Sequence, residues 1–529
     1  MHLDNIEVSR RSFLGGVGVA GATAAVSMIA GCASHSTDGS DADAPLSQTG
    51  VDEDADTPMF LRKPEAITEF ADTKEFDVVV VGAGNAGVVA ALRAFEEGAK
   101  VALVQKQNDC SAFGFRASGI DLESTTPAAK EAMVSLMMKN NAWRSDRDLL
   151  RAYADTSGEA ILWLRDRHAA AGITPRATTY DNFDIEHSGY TAHFICAIPS
   201  DNYMEATPAL CEYAISQGVE FFGGMPAVQL ITEEGAVTGV VAGKEGAYTL
   251  FGASRGVILA TGDYCCNPEM LSFYCPDING YPPLTEGRDG DGHCMGTWAG
   301  GRIEPIGHTK MIHDYWQNSA PFLLVDDKGN RFADEHMPWW ELNTIMRPIM
   351  QAHAEEPDAA LMYNIIDSEW ASQVASFMRA DPSMQIHDGE PPEEVCFAGE
   401  TIEEVAAAIG VDPSTLRGTV DRYNELVEKG ADDDFGKDAR FLAPIKTPPF
   451  MAVQRDFNWG LSAVLGGLVV DSEQRVLDDN DEPIRGLYAA GNVSGPFFGD
   501  VDYSMQIEGL SIGRAVTTGY IAGGAAARA

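Results

Sequence analysis

A strand, a glycine-rich turn, a helix and a second strand follow one another near residue 80. Phe76–Val81 is a run of mostly β-branched apolar residues, which is typical of a strand buried on both faces of a parallel sheet. Gly82–Gly87 follows with the spacing GxGxxG, apolar residues then recur at helical spacing, and Lys100–Val104 predicts the second strand. In this context the turn predicts a dinucleotide site, because it places a pyrophosphate at the amino terminus of the helix.

The position after the second strand departs from the usual pattern. An acidic side chain usually lies near this point and binds the ribose hydroxyls, whereas this chain has Gln105 and Lys106. A glutamine amide can bind a hydroxyl, but without the charge-assisted strength of a carboxylate. We therefore expect both residues to contact the dinucleotide, with a modestly lower affinity than is usual for the fold.

Four further segments resemble the superfamily of fumarate reductases, flavocytochromes c and 3-ketosteroid dehydrogenases. They are Ser118-Gly119, Gly256–Gly262, Val325–Glu335 and Gly486–Asn492. The resemblance runs from about residue 74 to the carboxyl terminus and includes a helix capping box at Thr401–Glu404. It implies that the dinucleotide is a non-covalent FAD.

The resemblance also implies the fold. It is an α/β fold in which a Rossmann-like FAD-binding domain, 74–307 and 446–529, is interrupted by an α+β cap domain, 308–445, with the active site between the two. No metal is implied. The residues expected to contact FAD are Gly82, Gly84, Asn85, Ala86, Gly87, Gln105, Lys106, Ser118, Gly119, Val228, Ala260, Thr261, Gly262, Gly491, Asn492, Gly509, Leu510, Ser511 and Ile512.

The positions that bind fumarate in the family are changed. Fumarate reductases hold two carboxylates with histidine and arginine and use an arginine as proton donor. The corresponding stretches here are Ser462–Gly467, Gly499–Tyr503 and Ile366–Trp370, and none of them contains His or Arg. A dicarboxylate would lose its hydration without gaining paired cations. We therefore predict that fumarate is not the substrate.

The carboxyl-terminal stretch is more similar to the ketosteroid dehydrogenases. In that family a tyrosine hydroxyl and a glycine N–H polarise a carbonyl, and the resemblance places these roles on Tyr503 and Gly509, with a spacing two residues longer. Hydride delivery to an enone builds charge on the oxygen and leaves a carbon that needs a proton. A packed aromatic role is the alternative for Tyr503. His308 is a third catalytic candidate, for which we favour a structural role.

Isolated arginines and aromatic residues bear on the substrate. Arg288, Arg347 and Arg455 could reach it, although a surface or hinge charge is the simpler interpretation. If several of the aromatic residues near the expected pocket face the flavin, the substrate is apolar and flat. These residues are Trp316, Trp339, Trp340, Phe457, Trp459, Phe497 and Phe498.

The first 32 residues predict export. Arg10-Arg11 is a twin-arginine pair before an apolar run that is too short for a confident membrane span. The run ends in Ile29–Cys32, which resembles a lipoprotein cleavage box with Cys32 as the lipidated residue; an ordinary cleavage site near Cys32 is the alternative. Residues 33–73, rich in Ser, Asp, Ala and Thr, predict a flexible acidic tether.

Charge and cysteine spacing exclude several classes of partner. The formal net charge of −42 argues against nucleic acid and against electrostatic binding to anionic lipid. The cysteines show no CxxC, CxxCH or zinc spacing, so neither haem nor a structural metal is predicted. Those at 265, 266, 275 and 294 are interpreted as buried free thiols rather than as an iron–sulfur site.

These inferences predict an exported reductase that transfers hydride from reduced FAD to an activated C=C bond, an enone or enoate, of an apolar small molecule. Three alternatives stay open: a ketosteroid-type dehydrogenase working oxidatively, a reductase of carboxylate-bearing enoates, and a flavin electron carrier without an organic substrate. NAD(P)H is not expected outside the membrane. The expected electron donor is therefore a separate membrane-bound cytochrome or flavoprotein linked to quinol.

Overall fold

The computed structural model describes residues 57–529 apart from 111, 113–115, 175–179, 186–187, 200–204, 306, 313–320, 338, 354–361, 382–395, 456–459, 500 and 505. The predicted export signal with Cys32, and residues 33–56 of the predicted tether, lie outside the described residues.

The strands of the described chain are β1 (Asp72–Val81), β2 (Val101–Val104), β3 (Ala117–Ile120), β4 (Tyr180–Ile185), β5 (Tyr190–Ala197), β6 (Glu220–Phe222), β7 (Ala227–Glu233), β8 (Ala236–Ala242), β9 (Thr249–Leu259), β10 (Thr309–Ile312), β11 (Leu323–Asp326), β12 (Met362–Ile366), β13 (Cys396–Gly399), β14 (Phe450–Arg455), β15 (Leu461–Leu465), β16 (Leu468–Val469), β17 (Arg475–Leu477), β18 (Pro483–Ala489) and β19 (Ser494–Gly495).

The α-helices of the same residues are α1 (Asn85–Glu96), α2 (Pro127–Asn140), α3 (Arg147–Ala170), α4 (Ala206–Gln217), α5 (Pro268–Tyr274), α6 (Asp291–Trp298), α7 (Trp339–Ala352), α8 (Trp370–Ala380), α9 (Ile402–Ala408), α10 (Pro413–Lys429) and α11 (Leu510–Arg528). Short 3-10 turns occupy Met59–Leu61, Pro276–Ile278, Ala439–Phe441 and Gly491–Val493.

The largest sheet carries the predicted dinucleotide unit at its centre. Its strand order is β17-β18-β8-β9-β1-β2-β6, and β6, β2, β1, β9 and β18 run parallel. Val78, Val79 and Val80 are fully buried, as expected for a strand covered on both faces. The predicted strand, turn, helix and strand are all present, and β1 begins four residues earlier than predicted.

The carboxyl-terminal helix α11 packs closely on α1. A side chain at Gly519 would place its Cβ 2.3 Å from the carbonyl oxygen of Ala86, and one at Gly523 would lie 2.4 Å from that of Ala90. The two glycines are four residues apart, as are the two alanines, so they form matching rows along the helices. This packing brings the amino termini of α1 and α11 to the same edge of the sheet.

The cap domain is built on a separate antiparallel sheet. Its strand order is β11-β12-β14-β13, and α9 and α10 pack on it through a core that includes Leu323, Ile365 and Val405. The predicted capping box at Thr401 and Glu404 is confirmed at the start of α9. The α+β character of the cap agrees with the prediction.

The domain boundaries differ from those predicted. β10 pairs with β15 outside the cap sheet, so residues 309–312 belong beside the second FAD-domain segment rather than to the cap. β14, at 450–455, belongs to the cap sheet although it follows the predicted boundary at 445. The strands of the cap sheet therefore span residues 323 to 455. The sequence did not predict these boundaries because pairing between strands far apart in the chain leaves no local signal.

The end of the predicted tether is part of the folded body. Phe60 is buried and its ring contacts Tyr274 at 5.9 Å between centroids. The backbone N–H of Met59 donates to Glu269, and that of Ile67 donates to Gln229. Residues from 58 onward therefore pack on the domain, which corrects the predicted tether end at 73.

Candidate active site

A groove runs along the carboxyl ends of β1, β2, β9 and β18. Its empty volume is about 1330 Å³, including space open to solvent. Such an edge, where helices begin and strands end, is the usual ligand position in open α/β sheets. The predicted FAD contacts that line it are Gly82, Gly84, Asn85, Ala86, Gln105, Lys106, Ala260, Thr261, Gly262, Gly491, Asn492, Ser511 and Ile512.

The glycine turn needs glycine at two positions for packing. Gly82 has φ +102°, and a Cβ there would lie 2.4 Å from the carbonyl oxygen of Ala260. A Cβ on Gly87 would lie 1.8 Å from the carbonyl oxygen of Gly82. The turn is thus pressed against β9 and α1, so Gly87 supports the groove from behind and does not line it.

The amino terminus of α1 suits an anion. Gly84 is the N-cap and offers no side chain to the free N–H groups, and the first turn contains no acidic residue. Unpaired N–H groups and the helix dipole attract a phosphate at such a position. The turn therefore fits the pyrophosphate of FAD.

Gln105 has a different role from the one predicted. Its Oε1 accepts a hydrogen bond from the backbone N–H of Ala83 at 3.1 Å, and its Nε2 donates to Gln107 at 2.5 Å. The side chain is buried and ties β2 to the glycine turn. It lines the groove as expected, but its carbonyl oxygen is already used within the protein.

Lys106 is held by two carboxylates at the same end of the groove. Its Nζ lies 2.6 Å from Asp289 and 2.9 Å from Asp291. Burial acts to lower the pKa of Lys106, but the two carboxylates outweigh it and the pKa is raised. The lysine is therefore charged and fixed in place beside the cofactor groove.

Other predicted contacts support the groove without lining it. Ser118 donates its N–H to the carbonyl of Gly509 at 3.1 Å and its hydroxyl to the carbonyl of Glu508 at 2.6 Å. A Cβ on Gly119 would lie 2.3 Å from the carbonyl oxygen of Ser157. The strand β3 thus packs against the start of α11. Val228 lies in β7 beside Ala227, which lines the groove, and Leu510 is buried in the core.

Gly509 begins α11 in a left-handed conformation. Its φ is +77°, and a Cβ there would lie 2.6 Å from the hydroxyl of Ser118. Only glycine fits this corner without strain. The corner aims the first turn of α11, with Ser511 and Ile512, at the groove.

Two residues that line the groove carry buried hydroxyl oxygens without a partner in the described part of the chain. Thr261 Oγ1 and Ser462 Oγ are buried and have no hydrogen-bond partner among the described residues. Both residues line the groove, together with Met311 and Ala463. Buried polar atoms are normally paired, so the two hydroxyl oxygens fit a bound group with polar atoms, and Met311 and Ala463 fit its apolar surface. A flavin carries both kinds of surface.

Arg288 and Asp263 form a buried pair that the sequence did not reveal. Arg288 Nη1 donates to Asp263 Oδ2 at 2.9 Å and to the carbonyl of Ser462 at 2.5 Å. Asp263 is fully buried and also accepts from Asn492. Within the described chain, Nε and Nη2 of Arg288 have no partner. In the sequence Arg288 is an isolated charge. The one local hint that it has a buried partner is the acidic residue directly after Gly262.

Tyr503 lies beside the groove with its hydroxyl at the start of α11. The hydroxyl oxygen accepts a hydrogen bond from the backbone N–H of Ser511 at 3.0 Å, and the side chain is 5% exposed. Burial raises the pKa of Tyr503 above its ordinary value, and the bond from Ser511 only partly opposes this. The phenol is therefore protonated at neutral pH, and its own O–H is left to donate. The ring also packs on Phe498, 5.3 Å away between centroids.

His308 is buried behind the wall of the groove. Its Nε2 lies 3.1 Å from the carbonyl of Glu304, its Nδ1 lies 2.5 Å from the hydroxyl of Tyr264, and its ring stacks on Tyr274. Burial lowers the pKa of His308 to about 3. Both ring nitrogens are engaged in a neutral ring, which favours the structural role over the catalytic one.

The remaining predicted substrate positions separate into two groups. Ser462 and Ala463 line the groove, whereas Trp370 packs with Phe377 inside the cap. Arg455 donates to Asn364 in the cap sheet. Phe497 and Phe498 are buried around Arg514. Trp316, Phe457 and Trp459 lie outside the described residues.

Cysteine pairing is the feature that the sequence reasoning missed. Cys110 and Cys211 form a disulfide that joins the segment after β2 to α4. Cys265, Cys266, Cys275 and Cys294 are free, as predicted. Among the described residues, no group of three or more His, Cys, Asp or Glu side chains could hold a metal ion. In the same part of the chain, no helix is both long and apolar enough to cross a membrane.

Known reductases are similar to this chain over most of its length. The chain is 26% identical over 499 residues to the vinyl phenol reductase of Lactiplantibacillus plantarum, covering 86% of this chain and 96% of that protein. It is 25% identical to the NADH:fumarate oxidoreductase of Klebsiella pneumoniae, covering 87% of this chain but 48% of that protein, so it spans about half of that relative.

A solved structure extends the similarity to the fold. The 3-ketosteroid-Δ4-(5α)-dehydrogenase from Rhodococcus jostii RHA1, in complex with 4-androstene-3,17-dione, superposes with a TM-score of 0.64 at 25% identity, covering 87% of this chain and 98% of that chain. The predicted superfamily is thereby confirmed. The family model of the FAD binding domain, FAD_binding_2, matches residues 77–508. The chain belongs to the FAD binding domain family, and it is an FAD-dependent oxidoreductase.

Proposed function

We propose that the protein is an exported reductase that saturates an activated C=C bond of an apolar small molecule, with Tyr503 as a hydrogen-bond or proton donor. The observation that carries the proposal is the contact between the Tyr503 hydroxyl and the Ser511 N–H at 3.0 Å. It places a protonated phenol next to a residue that lines the FAD groove. Tyr503 does not itself line the groove, and its oxygen accepts from Ser511, so the O–H hydrogen is not used in that bond.

The chemistry needs a charge acceptor and a proton donor at one place. FAD held in the groove by residues such as Gly84 and Ser511 would, once reduced, be the source of a hydride for one carbon of the double bond. Negative charge then develops on the conjugated oxygen, and the neighbouring carbon takes up a proton. The amino terminus of α11, with Gly509 and Ser511, is a favourable environment for that charge. Tyr503 at the same helix terminus supplies the O–H.

Uncharged groups around the groove support an apolar substrate. Ser462 and Ala463 stand where relatives carry a cationic clamp, and both line the groove. Arg347 is engaged by two aspartates and is not free to bind a carboxylate. Similarity to a vinyl phenol reductase and to a dehydrogenase solved with a steroid enone points to the same class of molecule.

A reductase of carboxylate-bearing enoates is the second candidate. Arg288 lines the groove, and two of its nitrogen atoms have no partner among the described residues. One such arginine could hold one carboxylate, in keeping with the similarity to an NADH:fumarate oxidoreductase. A monocarboxylate rather than fumarate would fit this arrangement, because the charge of Arg288 is already shared with Asp263.

Location and electron supply are part of the proposal. The twin-arginine pair and the box ending at Cys32 support export and a lipid anchor. The Cys110–Cys211 disulfide is in keeping with an oxidising compartment. A tethered flavoprotein in that compartment would receive electrons from a separate membrane-bound, quinol-linked carrier.

The test follows flavin reoxidation without oxygen. Enzyme reduced chemically is mixed with a vinyl phenol, a steroid enone, acrylate or fumarate. We expect fast reoxidation with the first two and slow reoxidation with fumarate. Tyr503→Phe should slow turnover by about a hundredfold to a thousandfold, the typical cost of losing one such donor. Rapid turnover of fumarate would reject the substrate class, and near-normal turnover in Tyr503→Phe, with losses only in Tyr503→Ala, would reject the role of the tyrosine.

A further inference from the structure

One face of a cap helix is joined to the FAD-binding domain by polar side chains. Thr344, Arg347 and Gln351 stand at positions i, i+3 and i+7 of α7 and therefore share a face. Thr344 Oγ1 donates to Asp502 at 2.7 Å, and Gln351 Nε2 donates to the carbonyl of Asp277. These five residues form what we name the cap seam.

Arg347 is the centre of the cap seam. Its Nη1 donates to Asp277 at 2.8 Å, and its Nη2 donates to Asp502. The side chain is largely buried, and Asp277 is also paired with Lys310 at 3.1 Å. Buried charged hydrogen bonds have stricter geometry than exposed ones and are costly to break singly. One cap side chain therefore fixes two separate segments of the other domain.

The cap seam ends at Tyr503. Asp502 is the neighbouring residue, and the backbone N–H of Tyr503 donates to the carbonyl of Lys310 at 3.0 Å. Lys310 and Asp502 are thus both linked through the seam to Arg347, one by way of Asp277. Because adjacent Cα atoms are held about 3.8 Å apart, the anchoring of Asp502 restricts where the backbone of Tyr503 can lie. The hydroxyl at the far end of the ring reaches Ser511.

We infer that Arg347 is a positioning residue that couples the placement of the cap to the placement of the Tyr503 hydroxyl. The inference rests on the proposed function, in which that hydroxyl acts on the substrate. Arg347 does not touch the groove, and both of its terminal nitrogens bind carboxylates. It acts through Asp502: with α7 of the cap held on the FAD-binding domain by the cap seam, the Tyr503 hydroxyl is aligned, and with the seam broken, that hydroxyl loses its fixed position.

The experiment is a double-mutant cycle on the holoenzyme. Arg347→Gln is made in two backgrounds, one with Tyr503 and one with Tyr503→Phe. Flavin reoxidation is measured for each protein with a saturating concentration of the vinyl phenol or the steroid enone. We expect a loss of roughly tenfold to a hundredfold with Tyr503, as for a small misplacement of a reacting group. With Tyr503→Phe the further loss should be under about twofold, because coupled residues are not additive. Arg347→Lys should restore part of the rate.

A matched control and a second readout separate positioning from stability. Arg417→Gln removes an arginine paired with Glu403 on the cap surface and should leave the rate unchanged. Site-specific 3-fluorotyrosine at 503 reports the surroundings of that ring by 19F NMR. Its resonance should move in Arg347→Gln and stay in Arg417→Gln. If Arg347→Gln does not fold, Thr344→Val removes one contact to Asp502 and should show the same pattern at smaller size.

Three outcomes are decisive. Equal losses from Arg347→Gln in both backgrounds, or an unmoved 19F resonance, overturn the inference. If Tyr503→Phe itself keeps full activity, the proposed function fails, and the 19F resonance alone then decides whether Arg347 positions the ring. A moved resonance together with a non-additive cycle establishes both.

Discussion

The hydroxyl of Tyr264 donates to Nδ1 of His308 across 2.5 Å. The direction follows from the other nitrogen, since Nε2 faces the carbonyl of Glu304 and must carry the hydrogen. A neutral ring then has Nδ1 as its acceptor. In this direction the hydrogen bond exists only while His308 is unprotonated, because an imidazolium Nδ1 carries a hydrogen and cannot accept.

Stability should consequently fall on acidification. Burial lowers the pKa of His308 from 6.5 to about 3. Between about pH 3 and pH 6.5 this histidine is therefore protonated in the unfolded chain but not in the folded chain. The free energy of unfolding then rises with pH across this window and levels off above about 6.5. His308→Asn keeps an acceptor for Tyr264 and should show lower stability overall but a shallower slope from pH 7 to pH 5. The slope of the free energy of unfolding against pH is measured by urea unfolding, and equal slopes in the wild-type and His308→Asn proteins would contradict this. The control is His193→Asn, at a partly buried histidine.

Gly84→Val should remove the cofactor without straining the backbone. Gly84 has φ −88° and ψ −167°, an extended conformation that valine adopts readily, so the effect comes from a side chain placed in the groove. Acid denaturation should release flavin, quantified by its absorbance, from the wild-type protein, and it should release none from Gly84→Val. Gly418→Val, where a Cβ meets open space, should keep full flavin content. A fully yellow Gly84→Val protein would place the pyrophosphate elsewhere.

The disulfide should contribute measurably to stability. Replacing both Cys110 and Cys211 by serine should lower the free energy of unfolding by about 2–5 kcal/mol, the usual range for a native disulfide. Cys396→Ser changes a free cysteine and should have little effect on the melting temperature. Thiol titration of the unreduced, denatured protein should find two fewer thiols than after reduction. An equal count before and after reduction would refute the bond.

Anchoring is testable apart from catalysis. Cys32→Ser should move the protein from the membrane fraction to the soluble fraction, while flavin content and activity stay the same because the residues that line the groove begin only at Val81. Arg10→Lys combined with Arg11→Lys should leave the protein in the cytoplasm. Retention of Cys32→Ser in membranes would remove the lipid from the proposal.

The sequence revealed the parts of the site that depend on local patterns. The run Phe76–Val81 and the glycines at 82 and 87 are signals within one segment, and the structure has them where they were predicted. Tyr503 and Gly509 came from resemblance alone. The structure adds what the resemblance lacked, which is the hydrogen bond that joins the phenol to the start of α11.

Contacts between distant segments could not be read in the same way. Arg288 meets Asp263 across 25 positions and Ser462 across 174, and the only local hint of this pairing was the acidic residue after Gly262. The side chain of Gln105 accepts a hydrogen bond from the backbone N–H of Ala83. No residue spacing in the sequence predicts this contact. The strand β14 joined the cap because its hydrogen-bonding partners β12 and β13 lie there.

The covalent bond between Cys110 and Cys211 closes a ring of the chain whose two ends are 101 positions apart. Helices α2 and α3 and the strands β3 to β5 all lie within it. A protease that cuts once inside the ring leaves the two pieces joined, so the protein keeps its full mass on a gel run without reductant and divides only when the bond is reduced. A cut outside the ring divides it at once.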